Sequence, residues 1–443
     1  MNGKPKTCCS FPYGAGKPLW PAVLLALLVW LAGCSSHGRK RSGALLYWSS
    51  NNPYEIEFAR RMVAEWNARH PEALVVHQPV PEGQSSEEVI LAAVVGRTTP
   101  DIYSNMWQGE VEAYARAGAL VPLDTIPGFL DSLYARCDSS VIGEVTATDG
   151  HIYQVPWKIN PIMMAVNLRI FREAGVRQIP RTYSQYLAAA RKIQRDRDGD
   201  GYVDRWIGYS EVKVEWWQRL FDFYPLYLAA SGGMPLVQGR RVVFDNRPAR
   251  EVFRFLRALY AGNYFPRERL SARQNPFLAG VIATRITGPW SIQEFERFKP
   301  PGFQYRFVPL PVPDDHRGPV YTYCDPKNIV LFSTCRRPEA AWRFVAFLIS
   351  RRNDRVFLEM TNQLPRRKNL FQDPLFAPIF EQRPALQPFA RQARYVRGTD
   401  ASPVLKEVFD AISQQYEAAV VYRVSPVERA IKEAAQRVQL LIQ

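Results

Sequence analysis

Eleven tryptophans, 21 tyrosines and 24 phenylalanines make 13% of this 443-residue chain aromatic. A ring with an apolar face and a polar edge suits the C–H face of a sugar, while nearby amides and carboxylates bond the hydroxyls. Several places join such rings to polar neighbours: Trp48 with Ser50 and Asn51, Trp107 with Gln108, and Trp157 with Lys158. Further along are Trp216 and Trp217 with Glu211 and Glu215, Trp290 after Gly288-Pro289, and Tyr321 and Tyr323 with Asp325. For each ring, ordinary core packing is the competing reading, and Trp66, Trp206 and Trp342 follow buried patterns that assign them to the core.

A second group of residues could hold a cation. Asp196, Asp198, Asp200, Tyr202 and Asp204 stand at positions 1, 3, 5, 7 and 9 of a run with Gly201 at position 6. That spacing is the start of a calcium loop, but Ile207 replaces the bidentate acid at position 12. A polar Asp-Gly turn without metal is the simpler reading, with a structural Ca²⁺ as the alternative. No nucleophile elbow, His-Glu-x-x-His run or zinc spacing is present, and no cofactor is required. Paired carboxylates for glycoside hydrolysis are not excluded by sequence.

These residues need elements to position them. Residues 44–48 read as an apolar strand, and Ile56, Ala59, Met62, Val63 and Trp66 recur at helical spacing. A second strand at 74–76, a helix around 89–95 and a third strand at 101–103 complete an alternation that predicts an α/β sandwich with a largely parallel sheet. Ligands collect beyond the carboxyl ends of such strands, here at 49–52 and 105–108. A second α/β region follows residue 156, with a strand at 162–166 and a short helix at 168–174. Thr182 and Gln185 form a capping-box pattern. Near the end, Ser425 reads as an N-cap, with Pro426 at the first helical position and Val427, Ile431, Ala434, Val438 and Leu441 on one face.

The N-terminus reads as an address. Lys4, Lys6 and Lys17 precede an apolar run over 19–31 that is shorter than the ~20 residues needed to span a bilayer. It ends in Leu31-Ala32-Gly33-Cys34, which resembles the bacterial lipobox. That resemblance implies cleavage after residue 33, acylation of Cys34 and a membrane anchor on the periplasmic or extracellular side. Residues 34–43 then form a basic tether. Losing three Lys with the leader lowers the net charge from +15 to +12. The remaining positive residues are scattered, and an exported chain has no nucleic acid to bind, so the excess reads as a solvated surface near anionic lipid. Cys137, Cys324 and Cys335 remain, and spacing leaves open whether Cys324 and Cys335 pair.

Seven short motifs occur in a fixed order behind the leader. They are residues 58–71 (FARRMVAEWNARHP), Thr99-Pro100-Asp101-Ile102, residues 114–123 (YARAGALVPL), and 150–156 followed by Ala165-Val166-Asn167-Leu168. Pro180-Arg181-Thr182-Tyr183, Ile286-Thr287-Gly288-Pro289-Trp290 and residues 338–348 (PEAAWRFVAFL) complete the series. Together they resemble the extracellular solute-binding proteins of bacterial ABC importers, the type that includes maltose-binding protein, although Val166 stands where that family usually has Tyr. The resemblance implies a two-lobe type II periplasmic-binding-protein-like α/β fold. Residues 44–155 with 313–352 would form one lobe, and 156–312 with 353–443 the other. It further implies a non-catalytic receptor that shuts on a sugar or oligosaccharide and docks on ABC permease subunits, which work with separate ATP-hydrolysing subunits. The rival readings are an exported carbohydrate-active hydrolase and a solute sensor without a transporter.

Overall fold

The computed structural model describes residues 43–81, 85–212, 215–270, 275–400 and 402–442. The leader, Cys34 and the tether up to residue 42 lie outside the described residues. In chain order the N-terminal elements are β1 (Leu45–Ser49), α1 (Pro53–Arg69), β2 (Val75–Pro79), α2 (Ser86–Val95), β3 (Ile102–Trp107), α3 (Gln108–Arg116), α4 (Phe129–Arg136) and α5 (Ser139–Val145). There follow β4 (Met163–Asn167), α6 (Leu168–Glu173), α7 (Tyr183–Ile193), α8 (Phe223–Ser231), β5 (Val237–Gln238), β6 (Arg241–Val242), α9 (Arg247–Ala261), β7 (Thr284–Thr287), α10 (Ser291–Phe298) and β8 (Tyr305–Val308). The last elements are β9 (Thr322–Tyr323), β10 (Lys327–Leu331), α11 (Pro338–Leu348), α12 (Arg351–Thr361), α13 (Ala377–Gln382), α14 (Gln387–Gln392), β11 (Val396–Arg397), α15 (Leu405–Tyr416) and α16 (Val427–Leu441).

The first sheet has the order β10-β3-β1-β2. β1 runs parallel to β2 and β3, and β10 returns antiparallel beside β3. Alternation along the strands splits the packing: Leu45, Tyr47, Ile102, Ile329 and Leu331 face one core, while Trp48, Tyr103, Met106, Val330 and Phe332 face another. Asn52 sets the geometry of the β1–α1 loop, because its side-chain oxygen accepts the N–H groups of Tyr54 and Glu55 at the helix start.

The second sheet, β7-β4-β8, is antiparallel throughout. Met164 and Val166 face one core, and Met163, Ala165 and Phe307 the other. The chain passes between the two sheets' cores three times. It crosses after Trp157, returns through β9 to Ile329, and leaves again between Phe357 and Leu358. α12 therefore serves both lobes: Phe357 packs with Phe58 and Trp157, and Leu358 with the C-terminal core. The expected boundary at 352 falls at the start of this shared helix.

Two local expectations shift. Thr182 caps α7, but Gln185 Oε1 accepts the N–H of Arg181, one residue earlier than a capping box requires. The last helix begins at Val427 with Pro426 at the cap position, where its ring offers no acceptor, and Glu428 pairs with Arg254. Its face of Val427, Ile431, Ala434 and Val438 is buried, while Leu441 is exposed. Cys137, Cys324 and Cys335 are all buried, and Cys324 and Cys335 are not paired with each other.

Candidate functional site

β3 ends in Trp107, whose indole lies against Trp216 of the C-terminal core, with ring centroids 4.7 Å apart. Trp107 Nε1–H donates to the Tyr323 hydroxyl at 3.0 Å, and that hydroxyl donates to Asp325 at 3.3 Å. Rings from both lobes and one carboxylate thus meet at the crossovers. Gly109 lies beneath the Trp107 ring and Gly288 beneath the Trp290 ring, and a Cβ at either glycine would collide with the indole. Trp-Gln-Gly and Gly-Pro-Trp are each built around a ring folded back over bare backbone. Gln108 donates to the Glu144 carbonyl at 3.1 Å, and its own oxygen presses on Gly398 of the C-terminal lobe.

The C-terminal side is aromatic. Trp217 and Trp290 are half-buried, and Phe221 stands edge-on to Trp290 at 6.3 Å. Trp217 and Phe221 also line a cavity of ≈ 470 Å³ together with Tyr209, Glu211 and Arg269. Tyr321 lies over Gly233 and 5.8 Å from Tyr395.

The N-terminal side is charged, and its charges are paired. Lys158 Nζ lies 2.9 and 3.0 Å from the Glu55 carboxylate and 3.2 Å from Asn105. Gln363 donates to the same carboxylate at 2.6 Å and accepts from Asn160 at 2.9 Å. Lys327 pairs with Glu87 at 3.0 Å. Burial pushes the Asp325 carboxyl up, opposed by Lys327 and Lys158. Burial, with Glu87 nearby, pushes half-buried Glu110 up to about 8, and Lys327 and Lys406 of α15 oppose the shift.

Several expected contacts are corrected by this geometry. Trp48 packs in the N-terminal core, because its strand turns that side chain toward Val80 and Ile90. Ser50 is spent locally, accepting the N–H of Asn52, while Asn51 is exposed. Trp157 is wedged between Phe58 and Phe357, and Lys158 is occupied by Glu55. Trp107, Gln108, Trp216, Tyr323 and Asp325 come together at the crossovers, but Trp107, Trp216 and Tyr323 are buried in the C-terminal core there, whereas Trp217 and Trp290 are half-buried on the C-terminal side and Tyr321 packs over Gly233. Sequence reasoning missed Glu55, Glu87, Asn105, Asn160, Lys327 and Gln363. A charged Lys327 heading an apolar strand was the one local sign of that network.

The acidic loop brings carboxylate oxygens of Asp196, Asp198 and Asp204 within 4.8 Å of one another, without Asp200. Asp196 already accepts from Gly199 and Gly201, and Asp204 from Arg197.

The family model described as bacterial extracellular solute-binding protein matches residues 52–354. The chain belongs to this family. It is 23% identical over 312 residues to the maltotriose-binding protein of Pyrococcus abyssi, an alignment covering 69% of this chain and 62% of that protein. It is also 23% identical over 303 residues to a maltooligosaccharide ABC transporter solute-binding lipoprotein of Streptococcus pneumoniae, covering 64% and 66%. Among solved structures, the GacH receptor of Streptomyces glaucescens, determined unliganded and with acarbose, superposes with a TM-score of 0.74 at 20% identity, over 90% of this chain and 98% of that one. The sugar-binding protein MalE of Xanthomonas citri gives 0.71 at 21%, over 90% and 97%. These likenesses establish the two-lobe type II fold, with the crossovers between its lobes.

Proposed function

We propose that this solute-binding protein captures a neutral sugar or oligosaccharide between its lobes and hands it, chemically unchanged, to ABC permease subunits. The observation that carries this reading is that Trp217 and Trp290 stay half-buried on the C-terminal side, beside the buried pair of Trp107 and Trp216 at the crossovers. Such rings stack on sugar C–H faces. A neutral solute is favoured because Lys158 and Lys327 are each already paired with a carboxylate, leaving acid in excess at Asp325 and Glu110. The names of the relatives, which include maltotriose- and maltooligosaccharide-binding proteins, point the same way. Two lobes joined by three crossovers suit a hinge that a bound solute shuts. The leader and Cys34 fit a lipid anchor that keeps the receptor beside its permease, as the word lipoprotein in the streptococcal relative's name suggests.

A thermal-shift screen of maltose, maltotriose, galactooligosaccharides and chitobiose, with spermidine and glycerol phosphate alongside, tests the reading. A true solute at 100 times its dissociation constant adds about 2.7 kcal/mol of stability. Chromatography of the mixture should return the solute intact. Stabilisation by spermidine or glycerol phosphate alone, or a cleaved product, would overturn the proposal. Incorporation of labelled palmitate, lost in Cys34→Ser, checks the anchor separately.

A further inference from the structure

A small, largely enclosed cavity of ≈ 90 Å³ lies at the end of β4 that is farther from the crossover after Trp157. It is well under the ~300–1,000 Å³ of ordinary ligand pockets, yet it has room for more than one water. Asn167, Arg169, Arg197 and Arg205 line it, and Ile170, Pro300 and Phe303 close its apolar side. No carboxylate is among its lining residues.

Asn167 ends β4 and caps α6. Its Oδ1 accepts the N–H groups of Arg169 at 3.1 Å and Ile170 at 3.2 Å, which fixes the amide and turns Nδ2 away from the helix. The residue is 3% exposed, and Nδ2 has no partner among the described residues. On the facing side, the Arg195–Arg205 bridge closes the acidic loop, so Arg197 and Arg205 rise from its two ends. Arg205 is 8% exposed and gives one terminal nitrogen to Glu173 at 2.9 Å. Its Nε is buried without an acceptor, and its second terminal nitrogen bonds nothing among the described residues. Arg169 spends only Nε on Glu173, at 2.9 Å, and the Arg197 guanidinium bonds nothing among the described residues.

Three guanidinium groups thus share one carboxylate. The acids of the loop do not relieve them, because each is tied to main chain. Asp196 accepts from Gly199 and Gly201, Asp198 from Asp200, Asp200 from Tyr202, and Asp204 from the Arg197 N–H. Among the described residues none of the four bonds an arginine side chain. Donors converging on a recess without acceptors select an anion, and the planar fork of a guanidinium matches an oxyanion.

We propose that this cavity is a site for a free tetrahedral oxyanion, phosphate or sulfate, gripped by the Asn167 amide and the guanidinium groups of Arg169, Arg197 and Arg205. The volume leaves no room for the organic body of a phosphomonoester. The bound ion ties the acidic loop to α6 and to the turn at 300–303, and so braces this end of the C-terminal lobe. The site is independent of the solute reading, because it shares no residue with the crossovers.

Calorimetry of the full chain with sodium phosphate and sodium sulfate, against sodium acetate and glycerol phosphate at matched ionic strength, tests the proposal. Phosphate or sulfate should bind with a dissociation constant below about 1 mM, and the two controls at least about tenfold more weakly. Arg169→Gln/Arg197→Gln, both at exposed positions, should weaken binding about tenfold and leave solute binding unchanged. Asn167→Asp keeps the cap oxygen but replaces the amide donor with an acceptor, so it should lose binding by more than about tenfold, with circular dichroism checking its fold. Phosphate should also slow hydrogen exchange over residues 196–205. No binding of either oxyanion at about 10 mM, acetate or glycerol phosphate binding as tightly, affinity indifferent to the double variant, or unchanged exchange over 196–205 would each overturn the proposal.

Discussion

On the N-terminal side of the crossovers, Lys158, Glu55, Asn105 and Gln363 hold one another in a buried polar network, whereas on the C-terminal side Trp217 and Trp290 remain half-buried, with Phe221 edge-on to Trp290. The first arrangement is stiff, because moving any member strands a charge away from water. The second is adaptable, because a ring face loses little when one apolar neighbour replaces another. A clamp divided in this way has one jaw fixed by electrostatics and one jaw that supplies contact.

The largest effect should come from breaking the fixed jaw. Lys158→Met leaves the Glu55 carboxylate buried beside Gln363 without its cation, a loss of about 3–5 kcal/mol. Burial already holds the Lys158 amine below its usual range, with Glu55 opposing, so the ion pair is what keeps the charge there. Urea unfolding measures the loss. The double variant Lys158→Met/Glu55→Leu should recover most of it, and a double variant as unstable as the single one would show that the network, not the charge, sets the stability.

The adaptable jaw should respond in the opposite sense. Trp290→Ala should weaken solute binding by more than about 1 kcal/mol, with a stability loss smaller than that of Lys158→Met because the ring is only half-buried. Calorimetry with the solute from the screen gives the first quantity and urea unfolding the second. Unchanged affinity removes Trp290 from the site.

How far the residues announced this division differs between the jaws. The aromatic side was legible, since Gly288-Pro289-Trp290 and Trp107-Gln108-Gly109 are local signatures whose geometry the glycines dictate. The parallel strands of the first sheet followed from the alternation of apolar runs, and β1, β2 and β3 lie within a few residues of the segments that predict them. The antiparallel second sheet was less legible, because its partners β7 and β8 are more than a hundred residues from β4. The polar network was not legible at all. Glu55 reads as an ordinary first-turn acid of a helix, and only the fold brings Lys158 to it across 103 positions and Gln363 across 308. Trp48 and Trp157 misled for the complementary reason: a tryptophan beside polar residues looks the same whether the strand turns it inward or outward.

The lobes also differ in how acid affects them. Burial pushes His77, which bonds Ser49 at 2.8 Å, down to about 4 from its usual 6.5. Its contribution is therefore complete above pH 6.5 and lost as pH falls from 6.5 toward 4. Burial pushes Asp400 of the C-terminal lobe up to about 6 from 3.8, opposed by the N–H groups of Val237 and Leu236. That contribution runs the other way: it is present below pH 3.8 and lost as pH rises through 6. Between pH 7 and 5 the wild-type chain should lose about 1 kcal/mol through His77, allowing for its partial exposure. His77→Asn should remove that loss, and Asp400→Asn should remove the opposing gain. Urea midpoints across this range separate the two, and parallel curves for all three proteins would refute the assignment.

The smallest effect should come from calcium. Asp196, Asp198 and Asp204 bring oxygens within 4.8 Å of one another, yet the loop's twelfth position is Ile207, fully buried in the C-terminal core and unable to turn outward as a ligand. Asp196 is held below the usual carboxylate range first by the Gly201 and Gly199 N–H groups, so its charge is already stabilised by main chain that a cation would have to displace. Calcium at millimolar concentration should therefore raise stability by less than about 0.5 kcal/mol, and Asp196→Asn should abolish even that. Binding in the range of about 10⁻⁷–10⁻⁵ M by calorimetry would mean that water or a remote carboxylate completes the shell, and that the C-terminal lobe too carries a charge-fixed element.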